Sequence, residues 1–267
     1  MVKSGLDHNN FLGPCDVPRV SQYRLAAHLS SAVVLYSFLF WSAKSVLRPS
    51  ITWSQVLASF DTDLTITMLI FQVTPGMAAF RKLVIGSKAL AFITLVSGAF
   101  VAGLDAGLVY NSFPKFADRW IPEDILAFSP TLRNITENPT TVQFNHRILG
   151  TSTLAALLLV AGRAQSLPLP PHLRLTALAL GGMGCLQVAM GITTLLLYVP
   201  VPVAAAHQSG ALVSHILLDT SVLLCLHLKF CRLCNLTYWC FPQATLSLAM
   251  WLAHEMRLAK LVKHIPK

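Results

Sequence analysis

The stretch TVQFNHRILGTSTLAALLLVA, Thr141 to Ala161, decides the class of fold. At 1.5 Å per residue it is long enough to cross the roughly 30 Å hydrocarbon core of a bilayer. Its polar residues crowd into the first turns, around His146 and Arg147, and its apolar residues fill the rest. Four further segments read the same way: Val20 to Ala43, Ser87 to Tyr110, Leu173 to Tyr198 and Val203 to Leu228. The expected fold is therefore an all-α, polytopic transmembrane helix bundle. Two stretches are ambiguous. Leu64 to Phe80 carries a Thr-Pro-Gly break and suits a re-entrant or surface segment, and Leu233 to His254 reads as a sixth helix or an amphipathic tail.

Composition agrees. Of 267 residues, 54% are hydrophobic and 12% charged, with mean hydropathy +0.61, which excludes a soluble globular domain, a secreted disulfide scaffold and a disordered tail. The net charge of +9 does not point to nucleic acid, because Lys and Arg flank apolar segments instead of forming runs; their partner is membrane lipid. Six cysteines make no framework: Cys225, Cys231, Cys234 and Cys240 crowd together, Cys15 and Cys185 stand alone, and a single CxxC falls short of a four-ligand zinc site. The opening MVKSGLDHNN has neither the apolar core of a signal peptide nor an Arg-rich amphipathic presequence.

If the five helices cross alternately, the N-terminus and the loops at 110–140 and 198–202 share one side. Counting residues near the helix ends such as Arg147, that side holds seven Lys/Arg and seven Asp/Glu, and the other thirteen and three if the C-terminal tail stays on it. The positive-inside rule puts the second side on the cytoplasmic or matrix face. An internal echo, RLAAHLSSA at Arg24 to Ala32 and PVAAAHQSGA at Pro202 to Ala211, opens two helices on the acidic side.

The chemical signal is three histidines at one depth. His28, His146 and His207 sit roughly 6 to 12 Å below the acidic-side face. Ionisable residues within a membrane are costly and usually face the bundle interior. Two imidazoles on neighbouring helices at one level suit the opposite axial positions of a haem iron. The alternative is that each bridges two helices by hydrogen bonds. Small residues, Gly150 after His146 and Ser209, Gly210 and Ala211 after His207, would let a flat macrocycle approach or simply serve helix packing. Arg147 and Gln208 each follow a histidine, and Arg147 is placed to snorkel or to pair with a carboxylate such as a haem propionate. Asp105 near the interface caps a helix or faces the site. The loop that follows is long enough to fold over this side as a lid, and Asp219 stands out deep in the last helix.

The segments SQYRLAAHLSSA (21–32), FVAGLDAGLVYNSFPK (100–115), WIPED (120–124), ENPTTVQFNHRILG (137–150) and MGITTLLLYVPVPVAAAHQSGAL (190–212) together resemble the eukaryotic, mitochondrial type of haem A synthase. That resemblance implies an inner-membrane protein of two similar four-helix bundles that oxidises the C8 methyl of haem O to the formyl group of haem A. It implies that His146 and His207 are axial ligands of a haem B, that Arg147 and Gln208 help bind it, that His28 belongs to the substrate-haem site, and that a ferredoxin is the electron donor. MVKSGL matches the end of the family's third helix, so the first three helices, with the Glu/His motif of the second, are expected to be absent from a truncated chain. The expected organisation is then 1–43 as a remnant of the N-terminal bundle, 44–86 as a divergent matrix-side linker, 87–230 as the haem B-binding bundle, and 231–267 as a divergent basic tail or extra helix. A cytochrome b-type electron carrier without oxygenase chemistry, and a structural subunit whose histidines only bridge helices, are the competing readings; a homo-oligomer is left open.

Overall fold

The computed structural model describes residues 20–47 and 75–230. Its helices are α1 (Gln22–Val46), α2 (Pro75–Gly103), a single turn α3 (Asn134–Glu137), α4 (Pro139–Gln165), α5 (Pro171–Leu196) and α6 (Val201–Phe230). Among the described residues there is no strand, and α1, α2, α4, α5 and α6 are each long and apolar enough to cross a membrane. The chain is an all-helical multi-pass membrane protein. The stretch Leu233 to His254 and Cys231, Cys234 and Cys240 lie outside the described residues.

One helix differs from expectation. α2 opens at Pro75 where the sequence reading placed its start at Ser87, and it ends at Gly103 instead of Tyr110. Pro75 and Gly76 of the Thr-Pro-Gly motif are thus helical. Residues 75–86, expected within a linker, are helical. Lys88, counted above among the flanking cations, lies in mid-helix.

Helices α2, α4, α5 and α6 form a ring in which each packs on the next and α6 closes against α2; α1 lies outside it, against α2 and α6. The half of this ring nearest the start of α2 is dry. Met77, Phe80 and Val84 of α2, Leu157, Val160 and Ala164 of α4, Leu173, Ala177 and Leu180 of α5, and Leu218 of α6 form one buried cluster there. Gly181 and Gly184 let α5 approach α4 closely: a Cβ on either would stand 3.0 to 3.1 Å from Ala161 or Leu157. At the other end, a Cβ on Gly103 would stand 2.6 Å from the Cα of Gln22, so the contact between α1 and α2 needs glycine.

That other end is covered by the connection between α2 and α4. Asn138 caps α4, accepting from the backbone N–H of Thr140 (2.9 Å) and Thr141 (3.4 Å), while its amide donates to the carbonyl of Asp124 (2.7 Å) and to Asn134 Oδ1 (2.9 Å). The Asp124 carboxylate accepts from Tyr110 (3.0 Å) and Thr140 (2.6 Å), and Thr141 donates to the carbonyl of Ile125. Burial, then the hydrogen bond to Asp124, raises the pKa of the Tyr110 phenol. Gln143 donates to the carbonyls of Ala106 (2.8 Å) and Tyr110 (3.1 Å), and Asn111 to that of Leu195 (2.8 Å). The loop is therefore a folded lid. The turn from α5 to α6 puts Tyr198 (φ 60°) and Val199 (φ 57°) in the left-handed region, strained for a β-branched residue. Val199 Cγ2 fits there only because Gly107 of the lid has no Cβ, which would lie 2.9 Å away.

Two outcomes follow. Gly103→Ala lowers stability in detergent by about 1–3 kcal/mol through the clash with Gln22, whereas Gly86→Ala, whose Cβ meets nothing within 4 Å, leaves the thermal midpoint unlowered. Asn138→Ala costs about 2 kcal/mol, from the lost cap and the buried partners left unpaired, read by thermal melting followed by circular dichroism.

Candidate functional site

His146 lies seven residues into α4 and His207 six residues into α6, about 9–10 Å along each helix from its lid-side end. α4 and α6 occupy diagonal positions in the ring, each packed on α2 and α5. Both imidazoles are half-buried.

Each ring rests on a glycine of an adjacent helix. A Cβ on Gly98 of α2 would stand 3.2 Å from His146 Cε1, and one on Gly191 of α5 would stand 3.0 Å from His207 Cε1. These two glycines make room for the imidazole rings themselves. Gly150 faces open space, Ser209 is exposed, and Gly210 faces the Gln187 amide and Met183 and Met190.

The hydrogen bond at His146 fixes its tautomer. Ser97 Oγ donates to the carbonyl of Thr94 at 2.6 Å and lies 2.7 Å from His146 Nδ1. A hydroxyl has one proton to give; with that proton committed to the carbonyl, Ser97 accepts from Nδ1–H, and the ring's lone pair is on Nε2. Thr94 holds the same level together, donating to Leu90 O (2.9 Å) and contacting Thr153 Oγ1 at 2.7 Å. At His207 the partner is Gln187 of α5. Its amide nitrogen donates to the His207 carbonyl (2.5 Å) and lies 3.2 Å from Nδ1, while its Oε1 is buried without a hydrogen-bond partner. The Gln187 amide nitrogen thus ties α5 to the His207 backbone and lies beside the ring at Nδ1.

The other expected site residues fall out differently. Arg147 is drawn into the lid: it donates to the carbonyl of Tyr110 (2.9 Å) and to Gln143 Oε1 (3.1 Å), and its guanidinium lies 3.9 Å from the Phe116 ring centroid. Its Nε is buried with no hydrogen-bond partner. Gln208 is exposed and does not join His207; Gln187 takes that place. His28 is at the matching depth on α1 but exposed, outside the ring. Asp105 adopts a left-handed conformation (φ 48°) at the end of α2 and opens the first turn of the lid. Sequence reasoning missed Ser97, Thr94, Gln187, Gly98 and Gly191. Hydroxyls and glycines in an apolar helix are ordinary packing residues, and only their register against the histidines marks them.

A second polar group lies deeper. Asp219 of α6 pairs with Lys88 of α2 and accepts from Ser37 of α1 at 3.0 Å, with His215 Nδ1 at 3.9 Å. Among the described residues no three or more His, Cys, Asp or Glu side chains come together as a metal chelate.

The family described as "COX15-CtaA: Cytochrome oxidase assembly protein" matches residues 1–218. The human protein named haem A synthase COX15 is 47% identical over 212 residues, covering 79% of this chain and 47% of the human one. Its bovine counterpart is 42% identical over 257 residues, 96% of this chain and 50% of that protein. A haem A synthase–mitochondrial ferredoxin fusion protein of Schizosaccharomyces pombe is 38% identical over 228 residues, 80% of this chain and 36% of the fusion. The chain spans about half the length of the human and bovine relatives. With that match over most of its length, the chain belongs to the COX15-CtaA family of cytochrome oxidase assembly proteins, of the eukaryotic haem A synthase type.

Proposed function

We propose that the chain acts in haem A biosynthesis and that His146 and His207 are the two axial ligands of one haem B iron. The observation that carries this reading is the pair itself: two imidazoles at one depth on diagonal helices, each seated on a glycine and each contacted at Nδ1. A six-coordinate bis-histidine haem supplies one-electron transfer and has no open position for O₂. Ser97 holds the His146 ring in the ligating tautomer and makes it more basic. Gln187 holds the His207 backbone and lies against the ring at Nδ1. Arg147, bonded to lid carbonyls, keeps unused N–H donors on the lid side, where a propionate would be paired. The closed lid and the aromatic contacts of Phe116 with Tyr110 and Phe144 exclude water from that end.

On this reading the substrate is haem O, bound near His28, and its C8 methyl would be oxidised to the formyl group by O₂, whose reduction to water would consume the electrons that a haem held by His146 and His207 would supply. The donor is a ferredoxin, as the name of the fission yeast fusion suggests. The membrane is the mitochondrial inner membrane, with the lid toward the intermembrane space, in keeping with the basic bias of the opposite side. The exposure of His28 favours one second reading, a cytochrome b-type carrier in which the bis-histidine site works alone.

The deciding experiment expresses the chain with a source of haem O and separates extracted haems by chromatography. Haem A as product supports the synthase, and a low-spin haem B spectrum without haem A supports the carrier. Two variants test the site. His146→Ala and His207→Ala each abolish the low-spin spectrum of the purified protein while its helical circular dichroism is retained. Ser97→Ala keeps the spectrum but weakens haem affinity about 10-fold or more, measured by haem titration.

A further inference from the structure

The cluster below the histidine level has a feature that packing does not explain. His215 is 3% exposed, and neither of its ring nitrogens has a hydrogen-bond partner. Its ring meets Phe92 edge to face, a contact that an aromatic hydrocarbon would make as well. Burying an imidazole without hydrogen bonds is costly, all the more where no water can reach it, so its retention calls for a role that a phenyl ring could not fill.

Its surroundings define that role. Asp219, one turn along α6, is held by Lys88 at Oδ1 and by Ser37 at Oδ2, and its Oδ2 lies 3.9 Å from His215 Nδ1. Lys88 is the charged group that α2 brings to this level. α1 contributes the Ser37 hydroxyl, and the neighbouring Tyr36 stacks on Phe40. On α5, Cys185 is the titratable side chain between Leu175 and Leu196, and it is exposed. With Lys88 cationic and Asp219 anionic the cluster is neutral. A proton arriving at His215 finds a carboxylate oxygen within a small rotation of its Nδ1–H, and it turns the cluster into a single positive charge.

We propose that His215, backed by Asp219 and Lys88, is a proton-binding site whose occupancy follows the redox state of the haem held by His146 and His207. The inference rests on the ligation proposed above. His215 lies eight residues beyond His207 on α6, about 12 Å along the axis. At that distance, with an effective dielectric near 20, one unit of charge alters proton affinity roughly tenfold. When a one-electron donor such as a reduced ferredoxin or dithionite delivers its electron to the ferric site, His215 takes one proton from the aqueous phase, and it returns that proton on reoxidation. Electron and proton charges then balance within the low-dielectric interior.

The test is a spectroscopic redox titration of the purified, haem-loaded full chain between pH 5.5 and 9. At a fixed ambient potential, the ferrous to ferric ratio of the native protein shifts about tenfold across part of that range. His215→Phe keeps the low-spin spectrum and loses the shift. Reduction in weak buffer with a pH indicator records proton uptake in the native protein and little in His215→Phe. A ratio independent of pH in the native protein, or an unchanged shift in His215→Phe, overturns the inference and leaves haem ligation standing. A native protein without a low-spin spectrum overturns both.

Discussion

Inside hydrocarbon there is no water to accept a stray hydrogen bond, so a polar side chain within the span is costly unless protein supplies its partner. This constraint sorts the bundle into levels. At the far end α2, α4 and α5 meet through an apolar cluster that needs no polar bond. Near the lid, hydroxyls and amides of α2 and α5 are matched to the histidines of α4 and α6. Between these, a cation from α2 and an anion from α6 share one site with a hydroxyl from α1. The placement of α1 against the ring rests on that hydroxyl and on the glycine contact at Gly103.

The lid-side level orients its histidines with few residues. One serine, its proton already given to a carbonyl of its own helix, sets the His146 tautomer without any charged residue. One glycine beneath each ring sets its distance from the neighbouring helix. Around these, the Asn138 and Asp124 network fixes the start of α4, and with it the height of His146 in the span.

The sequence made the helices legible because each is apolar over a bilayer's thickness, and the histidine level legible because Thr141, Leu173 and Val203 lie within two residues of the observed helix starts. It misplaced the start of α2, since a Thr-Pro-Gly motif reads equally as a break and as a first turn. That error hid Lys88, and with it the partner of the conspicuous Asp219. Gln208 is next to His207 in sequence but exposed, while Gln187, on another helix, reaches the ring. Partners across helices depend on register between segments distant in the chain, and periodicity within one segment carries no information about that register.

The ion pair between α2 and α6 also bears on how the chain enters its membrane. Lys88 and Asp219 are 131 residues apart, so at ordinary rates of synthesis the lysine emerges on the order of ten seconds before its carboxylate. A lone lysine at the centre of an inserting helix costs about 2.5–3.5 kcal/mol. Until α6 arrives, α2 is a poorly anchored segment, inclined to slide toward an interface or to linger beside the insertion machinery. Assembly of the ring is thereby tied to the delivery of its last member, and a chain halted before residue 219 would leave an uncompensated charge in the bilayer as a mark of incomplete synthesis.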